Sequence, residues 1–208
     1  MMRFSTSARA IGAFLLAVAL LAAASVAADE GKPRELFNGK DLSGWKMAGP
    51  GSFEVKDGAL VTVGGMGLLW HETELDDYVL TLDFKASRAE DNSGVFVRFP
   101  DPGNDPWVAV NEGYEIQICD AGGKNSTGAV YNAKSATEAA SKPVGEWNKY
   151  EITVIGQNIT VKLNGKVVNE FSGDKKTGRG FIGLQNHDNN TKVSFRNVKI
   201  KPIQKKAD

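Results

Sequence analysis

Tyr78-Val79-Leu80-Thr81-Leu82-Asp83-Phe84-Lys85-Ala86 alternates without a break. Side chains two apart along an extended chain share a face. Tyr78, Leu80, Leu82 and Phe84 therefore point one way, and Val79, Thr81, Asp83 and Lys85 the other. This is the pattern of a strand with one face on a core and one on solvent. Outward from it, the same period returns in short runs separated by turn residues. Upstream, Phe53-Glu54-Val55 and Ala59–Val63 flank Asp57-Gly58 as a hairpin, and Leu36, Phe37, Leu42 and Trp45 anchor an Asn38-Gly39 turn. Gly64-Gly65-Met66-Gly67 reads as a loop, with no helix start or Lys-Ser/Thr pair that would suit it to phosphate. Downstream, Asp91-Asn92-Ser93-Gly94 turns the chain into Val95–Phe99, where alternation puts Arg98 on the same face as Phe96. Lys149–Ile155, Ile159–Leu163 and Lys166–Phe171 follow, the last two joined at Asn164-Gly165. Gly180–Gln185 and Lys192–Ile203 close the series, with Asn197 marking a bulge or turn. Ala133–Ala140 is the only stretch that reads as a helical turn. About a dozen short strands and almost no helix predict an all-β antiparallel sandwich or barrel.

One strand in this series stands apart. Gly113-Tyr114-Glu115-Ile116-Gln117-Ile118-Cys119-Asp120 places Tyr114, Ile116 and Ile118 on one face and Glu115, Gln117 and Cys119 on the other. A Glu-then-Gln face opposite an Ile-rich one is either a solvated outer face or the polar floor of a cleft. Asp120 joins Glu115 and Gln117 only if the strand bulges near Ile118–Cys119.

The N-terminus and composition narrow the function classes. Arg3 and Arg9, the apolar run Ile11–Ala24 and the small residues Ser25-Val26-Ala27-Ala28 have the form of a secretory signal peptide over residues 1–28. The expectation is an exported, periplasmic or extracellular protein, with one domain over 29–203 and a charged tail at 204–208. No later segment is long and apolar enough for a membrane-spanning helix. Lys plus Arg and Asp plus Glu both number 25, without a basic patch, which argues against nucleic acid as partner. Cys119 is the only cysteine, so no internal disulfide and no cysteine-based zinc site can form. It reads as small core filler.

Eight stretches, in order, carry a resemblance. They are Leu36-Phe37-Asn38-Gly39-Lys40-Asp41-Leu42-Ser43-Gly44-Trp45, Asn92-Ser93-Gly94-Val95-Phe96-Val97-Arg98, Gly113–Asp120, and Thr127-Gly128-Ala129-Val130-Tyr131. Gly145-Glu146-Trp147-Asn148, Leu163-Asn164-Gly165, Ile182-Gly183-Leu184-Gln185-Asn186-His187 and Val193-Ser194-Phe195-Arg196-Asn197 complete the set. Together they resemble the 3-keto-disaccharide hydrolase family across nearly the whole mature chain. The resemblance implies a concanavalin A-like jelly-roll sandwich of two curved antiparallel sheets, the concave one cradling a saccharide. It also implies an exported protein acting on oligosaccharides or glucosides already oxidised at C3, hence a functional link to a sugar 3-dehydrogenase.

The Glu115, Gln117, Asp120 spacing resembles the Glu-x-Asp-x-x-Glu strand of retaining glucanases on this fold, which use two carboxylates about 5–5.5 Å apart. Here Gln stands at the middle position and the shorter Asp at the last. A 3-keto sugar permits another route: the ketone acidifies the C2 proton, a base removes it, the C1 substituent is expelled, and water adds to the enone. Glu115 is the candidate base, Arg98 the partner of the developing enolate oxygen, and His187 the acid or second base. An Arg98–Glu115 structural ion pair across neighbouring strands is an equal reading. Gln117, Asp120, Gln185, Asn92 and Tyr131 are candidate substrate-binding groups, and Trp107 is the aromatic best placed to stack on a pyranose. Trp45 and Trp147 read as anchors and His71 as structural. The sequence fixes no cofactor, and a divalent ion held by Asp120, Glu115 and His187, or structural calcium at Asp101–Asp105 or Asp188, stays open. A non-catalytic carbohydrate-binding module and an ordinary glycoside hydrolase are the alternative functions.

Overall fold

The computed structural model describes residues 31–174 and 178–204. The signal-peptide reading of residues 1–28 and all of the tail but Gln204 lie outside the described residues. In chain order the elements are β1 (Arg34–Glu35), β2 (Trp45–Ala48), β3 (Ser52–Lys56), β4 (Ala59–Val63), β5 (Gly67–His71), β6 (Tyr78–Ala86), β7 (Ser93–Phe99), α1 (Trp107–Glu112), β8 (Tyr114–Ile118), β9 (Asn148–Ile155), β10 (Asn158–Leu163), β11 (Lys166–Ser172), β12 (Phe181–Asn186) and β13 (Val193–Pro202). They form two antiparallel sheets. The larger runs β11-β10-β9-β6-β13-β4-β3, with β1 added along β13, and the smaller runs β2-β5-β12-β7-β8.

Alternation decides which side chains the sheets share. Tyr78, Leu80, Leu82 and Phe84 of β6 enter the core, as do Tyr114, Ile116 and Ile118 of β8. Ile152 and Val154 of β9 and Ile182 and Leu184 of β12 join them, so the core lies between the sheets. The Asn164-Gly165 turn has φ of +52° and +86°. Two successive positive φ values match the right-handed twist of a hairpin. Asn197 also has positive φ, +54°, where the β13–β6 register slips between Arg196 and Lys199.

The structure corrects the sequence reading at four places. The helix lies at Trp107–Glu112, and Ala133–Ala140 carries turns and bends without a helix. A strand runs over Gly67–His71, taking in the last residue of the Gly64–Gly67 loop and a segment to which the sequence assigns no element. Cys119 is half-buried at the end of β8, with its thiol near Ala89 O, and is not core filler. Arg98 does not share a face with Phe96. It has φ +60° and forms a bulge, so Val97 pairs with Ile182 and Phe99 with Phe181 while Arg98 has no partner in the ladder. The inserted residue returns Phe99 to the face of Phe96 and turns Arg98 toward the loops at the end of the sandwich.

On the outer face of the smaller sheet a second apolar cluster gathers Ala48, Leu68, Trp70, Phe96 and Phe99 under Ala109 of α1. Val110 and Phe181 pack against it. This small layer supports the cleft.

Candidate active site

The hollow beside α1 on that outer face has a volume of about 370 Å³. β8 supplies Glu115 and Gln117, β12 supplies Gln185, and the turn into β7 supplies Asn92. His187 follows β12, Trp107 and Val110 come from α1, and Tyr131 comes from the segment that runs along β8. That segment is an irregular edge: Tyr131 N–H donates to Glu115 O at 2.9 Å, and Gln117 N–H to Ala129 O at 2.9 Å. Met66, Leu68, Phe96 and Pro106 give the hollow an apolar floor and rim. Trp107 and Tyr131 are 54% and 39% exposed, which places both at its mouth.

Glu115 lies at the bottom. It is 6% exposed, and its Oε1 has no hydrogen-bond partner among the described residues. Burial pushes its carboxyl up from an ordinary value of 4.5 to about 8, because the charged form loses its hydration and gains no cation. Phe96 stands opposite it on β7, and Gly94 stands opposite Gln117. A Cβ on Gly94 would lie 2.2 Å from Glu115 Oε1 and 2.6 Å from its Cγ. Glycine at 94 is therefore what lets the carboxylate lie down on the neighbouring strand.

Amides surround the acid. Gln117 Nε2 donates to Asn92 Oδ1 at 2.8 Å, leaving Gln117 Oε1 buried and unpartnered, and Gln185 Oε1 is likewise unpartnered. Buried polar groups are normally paired, and orphans pointing into a hollow are the pattern of a site built for a polar ligand. His187 Nδ1 is 3.0 Å from Asp188 Oδ2, which leaves Nε2 as its second functional nitrogen. The same carboxylate accepts N–H donors from Asn190 at 2.6 Å and Thr191 at 3.0 Å. Those bonds, the one to His187 first, hold Asp188 below the usual carboxylate range.

Seven of the nine residues nominated from sequence line this hollow: Glu115, His187, Gln117, Gln185, Asn92, Tyr131 and Trp107. Arg98 and Asp120 do not. Arg98 is 2% exposed; Nη2 donates to Asp77 Oδ1 at 2.8 Å and Nη1 to Gly178 O. Asp77 Oδ1 also accepts from Gly156 N–H at 2.8 Å, so the pair ties three loops together. The structural ion pair exists, but its acid is Asp77 and not Glu115. Asp120 is exposed and accepts from Ser141 Oγ at 2.8 Å. Glu115 is then the only carboxylate among the described residues that line the hollow. The ligand trio Asp120, Glu115, His187 is not brought together, and no group of three His, Cys, Asp or Glu gathers among the described residues. Asp101 and Asp105 instead accept backbone N–H groups of Gly103 and Trp107, at 2.8 and 2.9 Å.

A family model described as the 3-keto-alpha-glucoside-1,2-lyase-like domain matches residues 32–201. The chain belongs to that family. This lyase-like domain is 25% identical to the 3-keto-disaccharide hydrolase of Bacteroides thetaiotaomicron over an alignment of 227 positions, 81% of this chain and 77% of that protein. A solved Parabacteroides distasonis structure, provisionally described as a glycosyl hydrolase, is 30% identical with a TM-score of 0.69, over 83% of this chain and 100% of that one. A Bacillus subtilis protein of unknown function with a galectin-like fold superposes with a TM-score of 0.63 at 13% identity, over 82% of this chain and 94% of that one. That last likeness concerns the fold alone, and it agrees with the lectin-type sandwich described above.

Three features of the lyase-like site escaped the sequence reading. Gly94 lies within the Asn92–Arg98 motif, and a glycine across from a strand's acid is a readable sign of close approach. Asp188, which the sequence suggests only as a calcium ligand, orients the imidazole of His187. The Leu68–Trp70–Phe96–Phe99 floor had no local signal, because it joins strands distant in sequence.

Proposed function

We propose that this protein is an exported hydrolase that cleaves the glycosidic bond of 3-keto-glucosides, 3-keto-disaccharides among them, by elimination and hydration. The observation that carries the reading is the buried carboxylate of Glu115 beneath amides whose Oε1 atoms are unpaired, with no second carboxylate among the described residues that line the same hollow. Double displacement at C1 needs two carboxylates. Elimination needs one base and hydrogen-bonding groups around an oxygen that becomes negative.

Glu115 takes the C2 proton, and the electron pair moves into a C2=C3 enolate. The enolate collapses to the ketone as C1=C2 forms and the C1–O bond breaks. The leaving oxygen takes a proton, for which His187 Nε2 is the donor. Water then adds at C1 and gives a proton back to His187 Nε2, Glu115 returns its proton to C2, and the sum is hydrolysis. With Arg98 committed to Asp77, the side-chain amides of Gln117 and Gln185 are the groups left, their N–H donors for the enolate oxygen and their Oε1 atoms as acceptors for ring hydroxyls. Trp107 and Tyr131 at the mouth suit the apolar face of a pyranose. The C3 ketone has to be made by a prior oxidation, which gives a sugar 3-dehydrogenase as functional partner.

NMR of the products from a 3-keto-disaccharide in D₂O tests the reading. Deuterium at C2 of the released keto sugar, above that in substrate left without protein, is expected. Cleavage without C2 deuterium would point to direct displacement. Saccharide affinity with no turnover by either the unmodified protein or Glu115→Gln would identify a carbohydrate-binding module instead.

A further inference from the structure

A second hollow, of about 390 Å³, adjoins the first, and Glu115, Val110 and Tyr131 line both. The two spaces therefore share a wall at Glu115, with Val110 from α1 and Tyr131 from the segment beside β8 standing between them. Their chemistry differs. The first is rich in amides and holds His187. The second has the aromatic pair Tyr114 and Phe171 in its wall, beside Ala133 and the polar Asn111, Asn132 and Asp174. Tyr114 and Phe171 meet edge to face at 5.3 Å between ring centroids. Gly173 seals that pair from outside: a Cβ there would lie 2.1 Å from the Tyr114 hydroxyl. Each hollow is at the lower end of the size range of small-molecule sites, enough for one ring apiece.

We propose that the second hollow is the leaving-group subsite, taking the ring of the alcohol expelled from C1, and that Phe171 and Ala133 set which alcohols are accepted. This deepens the function proposed above and rests on it. In the elimination the base acts at C2, and the departing oxygen is on the adjacent carbon, so the scissile bond must lie beside Glu115. Charge develops on the ketone ring, which places that ring among the amides and His187. Its C1 substituent then has one covered direction to follow, past Val110 and Tyr131 toward the Phe171–Tyr114 edge. An aromatic edge binds the C–H face of a sugar or an aryl group, and Asn132 and Asp174 beside it offer partners to ring hydroxyls. The subsite thus selects for a ring-bearing alcohol over a small one.

Two substrates separate this subsite from the rest of the cleft: a 3-keto-disaccharide and methyl 3-keto-glucoside, whose leaving group is too small to reach the second hollow. Ala133 is exposed, so Ala133→Trp fills the hollow without disturbing the core. It is expected to lower kcat/KM for the disaccharide roughly tenfold or more and to leave the methyl glycoside within about twofold. Phe171→Ala should raise KM for the disaccharide alone. Equal effects on both substrates, or none on either, overturn the subsite while leaving the proposed function standing. Failure of the unmodified protein to cleave either substrate overturns the function and the subsite together.

Discussion

Glu115 combines two liabilities that a structural residue would not keep: burial without a cation and an oxygen without a donor. Its carboxyl titrates near 8, so most of it is protonated at neutral pH. As a base it works only when ionised. The limb of kcat/KM that Glu115 sets should therefore rise with pH toward about 8; a Glu115 acting as the general acid would give a falling limb there instead. Stability should run the opposite way. Between the ordinary value of 4.5 and about 8 the folded state holds a proton that the unfolded state has released. Stability is then full below the lower value and falls as pH rises, by up to ~1.4 kcal/mol per pH unit. Glu115→Gln removes the cost of the buried charge. At pH 9 its Tm should exceed that of the unmodified protein by at least ~5 °C, with the two converging near pH 4, while cleavage is abolished. Thermal melts at the two pH values check this. Gly94→Ala probes the same acid from across the strand. Its Cβ displaces the carboxylate, and a displacement on the order of 1 Å costs about 100-fold in turnover. Activity assays paired with circular dichroism should show that loss in a protein that still folds.

At the level of elements, the readable parts of the chain were those whose residue types announce their backbone. Asn164-Gly165 and Asn197 stand where φ is positive, and asparagine and glycine enter that region readily. Arg98 carries the same φ with no such mark, so strict alternation ran one residue too far and placed its guanidinium in the cleft. β5 was missed for a different reason. Leu69 faces the main core while Leu68 and Trp70 face the outer cluster, so both faces are apolar and no period of two survives. α1 has six residues, fewer than two turns, too few for a helical period to declare itself. The Arg98 correction has a measurable consequence. Removing the cation strands Asp77, which is 6% exposed. Arg98→Ala should cost about 3–5 kcal/mol in urea unfolding, the penalty of breaking a buried pair from one side. Asp77→Ala should cost a similar amount. A catalytic Arg98 would instead give a stable protein without activity.

For the molecule as a whole, the sandwich and the site sit on opposite faces of one sheet. Among the described residues thirty form the buried core between the sheets, whereas the outer cluster beneath α1 has six. That division explains what sequence could and could not supply. The polar face of β8 was legible because its neighbours in sequence, Tyr114, Ile116 and Ile118, fix the direction of Glu115 and Gln117. The neighbours that complete the site come from β5, β7, β12 and α1 through the order β2-β5-β12-β7-β8, which no local pattern encodes. The same division makes site and fold separable by mutation. Ala109 is fully buried where α1 meets the outer cluster and takes no part in the core between the sheets. Ala109→Asp buries an unpaired carboxylate at that contact and should lift α1, with Val110 and Trp107, off the cleft. Leu82→Ala opens a cavity between the sheets and should cost about 2–5 kcal/mol of global stability. Hydrogen exchange distinguishes the two. Ala109→Asp should speed exchange in Trp107–Gly113 and abolish cleavage while the amides of β6, β9 and β13 stay protected. Leu82→Ala should speed exchange in those central strands and leave the cleft, in the molecules that remain folded, able to turn over. Loss of protection throughout the sandwich in Ala109→Asp would mean that the outer layer is part of the folding core and not a platform laid upon it.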